Sequence, residues 1–336
     1  MKARVMNKAD IMQVVEMEPT ITAVENVYKM KSAGEAVAWP TVFHIFEEGV
    51  RDMDIRSGYL PGEHVFGHKA IGFFGGNTEK NLPTLMATIN VFDEYTGSLI
   101  GLLEGSYITG LRTGAAGAIG AKYLARKDSD TLFVLGAGNQ AAFQIGATLV
   151  VFPGLKKVYI ADLLNPDNGK RFASEIRRRL KEEFGIDASG VDFEATVDPA
   201  SAIPDSDIVI TVTPAREPVI RKEWVRPGTH FSTVGSDMEG KEEIDPEIFR
   251  GAKVFVDDIP HCIEAGEVEI PIKNGVIAET DLTEIGTLIA GQTAGRTSDE
   301  EITIYDPCGM ALMDIAAAKV ALTLGAEKGL GVTVDL

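Results

Sequence analysis

Apolar positions run along this chain in two rhythms, and the change from one to the other divides it. Near the start, residues 9–17 and 20–32 space their apolar side chains at three and four, which predicts two helices separated at Pro19, with Gly34 as the stop. Residues 84–92 and 98–104 alternate apolar and β-branched positions around Asp93-Glu94-Tyr95-Thr96-Gly97 and read as a hairpin of an antiparallel or mixed sheet. A helix follows over 108–124, crowded with Gly110, Gly114, Ala115, Gly117, Ala118, Gly120 and Ala121. Each glycine costs a helix roughly 1 kcal/mol, so close approach of another backbone or a ligand has to compensate, and tight packing against a neighbouring domain is expected.

Past the charged cluster Arg126-Lys127-Asp128-Ser129-Asp130, short apolar runs alternate with helical segments. Strands are predicted at 131–135, 157–161, 193–196, 208–213, 230–234 and 253–257, with helices notably at 140–150 and 169–184. After Asp281 the alternation stops, and 309–324 reads as an alanine-rich amphipathic helix returning to the first domain. The fold class expected is therefore α/β. It comprises a doubly wound parallel sheet over 126–304 and a second, α+β domain over 1–125 to which 305–336 return.

With 336 residues, two cores fit the chain better than one. A formal net charge of −18 repels phosphate backbones and acidic membranes, so no nucleic-acid partner is expected. The first residues mix charges among apolar positions unlike a signal peptide, and the richest apolar stretch, 132–152, is broken by Asn139, Gln140 and Gln144. A cytoplasmic protein without a membrane partner is expected. Cys262 and Cys308 form no metal-binding or redox motif, and His44, His64, His68, His230 and His261 lack ligand spacing, so no metal is expected. His68 is of interest because it neighbours Lys69.

The strongest local signal is an apolar strand, Thr131-Leu132-Phe133-Val134-Leu135, running into Gly136-Ala137-Gly138-Asn139-Gln140-Ala141 and a helix. Gly136 permits the tight turn, Gly138 lets backbone approach a pyrophosphate, and Ala141 allows helix-on-strand packing, while the helix N-terminus offers free N–H groups to the anion. The second strand ends in Asp162, at the separation of about 20 residues where an acid accepts hydrogen bonds from ribose hydroxyls. That carboxylate, followed by Leu163 rather than an arginine, favours NAD over NADP. Gly136, Ala137, Gly138, Asn139, Gln140 and Asp162 are the candidate cofactor residues of this Rossmann turn, joined by Thr211, Val212 and Thr213 on the fourth predicted strand and by Thr113.

Beyond the turn, three charged residues stand out by type and setting. Arg112, at the start of the small-residue helix, can hold a carboxylate bidentately. Lys69 sits among apolar and small residues, where partial burial lowers its pKa towards useful acid-base chemistry. Asp237 follows the strand at 230–234 in a Gly-Ser-Asp turn, at the sheet edge where doubly wound folds place ligands.

The motifs Gly58-Tyr59-Leu60-Pro61-Gly62, Gly67-His68-Lys69, Gly75-Gly76-Asn77, Leu111-Arg112-Thr113-Gly114-Ala115, Gly136 to Ala141 with Gln144, Gly235-Ser236-Asp237 with Gly240-Lys241, and Gly295-Arg296-Thr297-Ser298-Asp299-Glu300-Glu301 stand in an order that resembles the ornithine cyclodeaminase and mu-crystallin family. That family also holds archaeal-type alanine dehydrogenases and ketimine reductases. The resemblance spans about residues 58–301 and implies a two-domain homodimer whose first domain serves substrate and dimerisation. It also implies that Lys69 binds substrate or transfers protons, and that Asp237 is catalytic. One family feature is missing: Trp39-Pro40-Thr41-Val42-Phe43 stands where relatives carry a substrate arginine. Arg56 is the candidate replacement.

The resemblance implies NAD-dependent hydride transfer at the α-carbon of a small amino or imino acid. If a side-chain amine of the substrate attacks the iminium, the outcome is cyclodeamination of an ornithine-like substrate to proline and ammonia. If water attacks, it is oxidative deamination, as in alanine dehydrogenase, and the reverse sense gives an imino acid reductase. A mu-crystallin-like binding protein is the reading from another class, but such a protein has no use for a proton shuttle.

Overall fold

The computed structural model describes residues 1–336, the side chain of Thr78 excepted. It falls into two compact units, Met1–Arg112 with Met310–Leu336, and Thr113–Gly309. The boundary lies inside the small-residue helix, which spans Gly105–Leu124. Among the described residues, no helix is long and apolar enough to cross a membrane.

The first unit is built on a mixed, 8-stranded sheet in the order Val332–Asp335, Lys2–Met6, Leu99–Glu104, Leu85–Asp93, Val65–Phe74, Arg51–Leu60 and Val37–Ala38, with Val42–Glu47 also paired to Arg51–Leu60. Only Lys2–Met6 and Leu99–Glu104 run parallel; the other neighbours are antiparallel. The expected hairpin is its Leu85–Asp93 and Leu99–Glu104 pair. Helices Met17–Ser32 and Ala311–Glu327 pack together, and the latter lies against the central strands.

Two expectations fail in this unit. Pro19 does not separate a pair of helices: it lies in the first turn of Met17–Ser32, where its missing N–H would have no intrahelical partner, and the preceding helix is only Lys8–Met12. The alanine-rich helix is not amphipathic, since Ala311 through Ala318 are all buried and Ala321, Leu322 and Gly325 follow. Small side chains let it enter the core on every face, carrying Asp314 with it.

The second unit holds an 8-stranded, all-parallel sheet in the order Asp192–Thr196, Lys157–Ala161, Thr131–Leu135, Ile208–Thr211, His230–Thr233, Thr303–Asp306, Lys253–Val256 and Leu282–Glu284. This is an α/β, Rossmann-like sheet. Both faces are covered: Leu132, Val134, Ile208 and Ile210 enter one core beside helices Asn139–Val151 and Pro166–Phe184, while Phe133, Leu135 and Val209 enter the other. Hence the strands read as nearly continuous apolar runs. The alternation does not stop at Asp281, because Leu282–Glu284 and Thr303–Asp306 add two parallel strands. They are three and four residues long, and the polar stretch between them hides the signal.

Close contacts within this unit account for the glycines of the small-residue helix. A Cβ on Gly114 would strike the Phe143 backbone at 2.6 Å, and one on Gly120 would enter the ring of Tyr305.

Candidate active site

The parallel sheet reverses its winding between Thr131–Leu135 and Ile208–Thr211, and a ligand crevice forms beyond the carboxyl ends of strands at such a switch. Several of the cofactor candidates meet there. Gly136 has φ +108°, where side chains are strained, and its N–H donates to Ala161 O at 2.7 Å. A Cβ on it would come within 2.9 Å of Val212 O and 3.3 Å of Thr213 Cγ2. Val212 N donates to Leu135 O at 2.9 Å, fixing this crossing. Gly138 faces open space, with nothing within 4 Å of where a Cβ would stand. It precedes helix Asn139–Val151 without capping that helix by a side chain, which leaves the first turn's amides for an anion. Ala137 and Ala141 are buried beneath.

Asp162 follows the second strand as expected. Its Oδ1 accepts from Asn165 N at 2.9 Å and its Oδ2 from Asn168 Nδ2 at 2.8 Å, which holds the carboxylate in place with lone pairs to spare. Asn139 Oδ1 accepts from Arg179 Nη2 at 2.7 Å, and Gln140 follows it, half-buried, in the same turn. Thr113 is joined to the cofactor helix through its carbonyl, which accepts from Gln144 Nε2 at 2.8 Å. These residues fit a dinucleotide: an open glycine, uncapped amides and a fixed acid beyond the second strand.

Thr213 also answers to a residue that the sequence motifs do not single out. Glu243 Oε1 accepts from Thr213 N and Thr213 Oγ1, each at 2.7 Å, and Glu243 Oε2 accepts from Gly235 N at 3.0 Å. One buried carboxylate therefore ties together the ends of two neighbouring strands. Beneath it, Glu267 Oε1 accepts from Glu243 N and Ile244 N, each at 2.7 Å, and Glu267 Oε2 meets Ser236 Oγ in a short hydrogen bond. Burial, reinforced by Glu243, pushes the Glu267 carboxyl well above the ordinary range. Asp237, which follows Ser236, is half exposed and ion-paired with Lys241 Nζ. Lys241 stands four residues after Asp237 in the same sequence motif.

In the first unit a second cluster forms. Lys69, on strand Val65–Phe74, is only 2% exposed, Arg112 on helix Gly105–Leu124 is 7% exposed, and Asp314 on helix Ala311–Glu327 is 0% exposed. Lys69 Nζ donates to Asp314 Oδ2 at 2.9 Å and Arg112 Nε donates to Asp314 Oδ1 at 3.0 Å. Thr109 Oγ1, one turn before Arg112, lies 3.5 Å from Lys69 Nζ and 3.4 Å from Asp314 Oδ1. Burial lowers the Lys69 ammonium to about 8; Asp314 opposes the fall, and Arg112 and Arg56 add to it. Burial would raise Asp314, but Arg112 and Lys69 hold its carboxyl below the usual range. With both bases protonated, the triad carries one positive charge in excess.

Arg56 is the cross-strand neighbour of Lys69, and its Nε donates to Asp54 Oδ2 at 3.0 Å. His68, adjacent in sequence, takes the alternate strand position: its Nε2 pairs with Asn90 Nδ2 at 3.1 Å and its ring stacks on Phe92. His230 is a core residue held by Thr303 Oγ1 and Ser232 Oγ, and burial lowers it to about 3, so it stays neutral. Asp314 is the main residue that sequence reasoning missed. The signal that could have found it is a single acid inside an otherwise apolar run, Met310-Ala311-Leu312-Met313-Asp314-Ile315-Ala316-Ala317-Ala318.

A Rossmann-like parallel sheet with an intact dinucleotide turn, and elsewhere in the same chain a buried cationic triad, mark a nucleotide-dependent enzyme. The chain belongs to the ornithine cyclodeaminase/mu-crystallin family, whose model matches residues 1–323. It is 36% identical to the alanine dehydrogenase of Archaeoglobus fulgidus over 98% of each chain. Among solved structures, it is similar to an archaeal alanine dehydrogenase dimer with bound NAD, at 35% identity, TM-score 0.89 and 100% coverage of both chains. It is also similar to the Δ1-pyrroline-2-carboxylate reductase of Thermococcus litoralis in complex with NADH and L-proline, at 32% identity and TM-score 0.91, covering 98% of this chain and 100% of that one. The chain is thus an enzyme of this family, an amino acid dehydrogenase, imino acid reductase or cyclodeaminase.

Proposed function

We propose that the protein is an NAD-dependent oxidoreductase interconverting a small 2-amino acid with its 2-imino or 2-oxo acid, an alanine dehydrogenase or imino acid reductase rather than a cyclodeaminase. The observation that carries this reading is the buried Lys69–Asp314–Arg112 triad with its one surplus positive charge. Such a cluster is complementary to one carboxylate and repels the second, side-chain ammonium that a cyclodeaminase substrate brings. The full-length likeness to a dehydrogenase and a reductase supports the same choice.

NAD, when bound at the Gly136 turn, supplies the hydride acceptor or donor. Arg112 holds the substrate carboxylate, and Lys69, as an ammonium, donates a hydrogen bond that fixes and polarises the substrate. Arg56, held by Asp54, is assigned a supporting cation at the rim of this clamp. Asp237 moves the proton at the substrate nitrogen, kept ready by Lys241. In the reductive direction the imine carbon gains hydride and the nitrogen gains one proton; oxidation reverses both, and water then releases ammonia from the imine. We further assign the exposed strand Val42–Glu47 to contact with a second copy of the chain, in line with the dimer named for the archaeal relative.

The test is a coupled assay of purified protein. NAD with a panel of L-amino acids including ornithine, and NADH with pyruvate plus ammonia or with a cyclic imino acid, are followed by NADH absorbance and ammonia release. The proposal expects NADH to change in step with substrate. Ammonia from ornithine at constant NADH would establish cyclodeamination instead, and NAD binding without turnover on any substrate would establish a binding protein.

A further inference from the structure

The triad of the first unit contains a residue that contacts both proposed substrate cations and yet has no room for a substrate role of its own. Asp314 is completely buried, and each of its carboxylate oxygens is engaged: Oδ2 by Lys69 Nζ at 2.9 Å, Oδ1 by Arg112 Nε at 3.0 Å. It reaches them from the returning helix Ala311–Glu327, far away in sequence from strand Val65–Phe74 and helix Gly105–Leu124. Without it, two buried cations would confront each other among apolar residues, and each would lower its free energy by swinging away or, for the lysine, by losing its proton. A carboxylate between them reverses this, because charge-assisted hydrogen bonds fix both side chains in direction as well as in charge.

We propose that Asp314 is the positioning residue of the substrate clamp, holding Lys69 and Arg112 side by side so that together they present a single net positive charge to one substrate carboxylate. The inference rests on the reading of Lys69 and Arg112 as substrate ligands. It adds a task for the C-terminal helix: the segment that closes the core of the first unit also sets the charge of the clamp. Thr109 stands beside the pair, its hydroxyl donating to Gly105 O at 2.7 Å and lying 3.5 Å from Lys69 Nζ and 3.4 Å from Asp314 Oδ1.

A structural role and a positioning role separate in the pH profile. Lys69 acts as an ammonium, so reductive kcat/KM falls as pH rises through its pKa of about 8. Asp314→Asn keeps the shape and one acceptor oxygen but removes the charge that supports the ammonium. The proposal expects the alkaline limb of Asp314→Asn to move to lower pH by about one unit and KM for the acid substrate to rise at least tenfold, with the Kd for NADH unchanged. A folded Asp314→Asn enzyme with the wild-type limb and wild-type KM would overturn it, whatever its melting temperature. Should Asp314→Asn not fold, Asp314→Glu decides, since it keeps the charge and displaces it by one methylene. It is expected to keep the limb near wild type and raise KM, and a wild-type KM would overturn the proposal. Turnover of the wild-type enzyme in the same assay is read first, so failure of the functional reading is seen independently of either variant.

Discussion

At the residue scale, the two candidate centres show opposite ways of preparing a charged group. Asp162 stands partly exposed at the end of its strand, and hydrogen bonds from Asn165 and Asn168 fix it without burying it, which leaves lone pairs open to a ligand's hydroxyls. Lys69 is buried and kept charged by a partner, which makes its charge sensitive to everything around it. The assignment of Asp162 leads to a direct expectation. Asp162→Ala should weaken NADH binding about tenfold, the loss of a hydrogen bond to a charged group of roughly 1.5 kcal/mol, and should narrow the preference for NADH over NADPH. Fluorescence titration with both nucleotides measures this, and an unchanged Kd for NADH would remove Asp162 from the cofactor site. Lys69 and Arg112 could be picked out from residue type and motif; their common partner could not, because Asp314 lies on another element some two hundred residues further along the chain.

At the scale of elements, the ends of the parallel strands are held by buried acids rather than by loops alone. Glu243 joins the residues following Ile208–Thr211 and His230–Thr233, and Asp257, after Lys253–Val256, accepts from Gly309 N at 2.7 Å and Cys308 N at 3.2 Å. Asp306 ends Thr303–Asp306, accepts from Val268 N at 3.1 Å, and is buried close to Cys262 and Cys308. Burial pushes Asp306 up to about 8, far above its value in the unfolded chain, so the folded protein binds its proton more tightly. The stabilisation that follows is complete below about pH 4 and is lost as pH rises through about 8. Melting temperature should therefore fall between pH 6 and pH 8.5, and Asp306→Asn, which resembles the protonated acid, should flatten that fall. Thermal unfolding of both proteins across this range is the measurement, and parallel curves would show that Asp306 does not titrate there. Burial likewise raises the Cys262 thiol to about 12, which keeps it unreactive despite its neighbour.

At the scale of the whole molecule, the first unit leaves an edge that a lone subunit would have to protect. Val42 is 62% exposed, Ile45 50% and Phe46 48%, all on a strand with every residue exposed. An apolar strand of this kind at the margin of a sheet invites pairing, and a second copy is the occupant proposed here. Ile45→Lys should shift the protein from dimer to monomer in sedimentation velocity, while a wild-type protein that sediments as a monomer at micromolar concentration would refute the assignment. The formal net charge of −18 repels polyanions.

Whatever contiguous order can encode was legible in the chain before it folded. The strand, glycine turn and helix around Gly136 and Gly138, the acid at Asp162, and the apolar runs of the parallel strands are local patterns, and the structure contains them as read. The small-residue helix announced close packing because glycine is unfavourable in a helix unless something presses against it. Folding settled the rest. The strands Leu282–Glu284 and Thr303–Asp306 mix polar with apolar residues, so neither reads as an apolar run, and they exist because a sheet edge and its interior receive them. The alanine-rich helix became a core helix because neighbours cover it on all sides, which its own periodicity cannot state. The pairings of Asp314 with Lys69 and Arg112, and of Glu243 with Thr213 and Gly235, join residues distant in sequence, and only folding brings such charges close enough for burial to make each depend on the other.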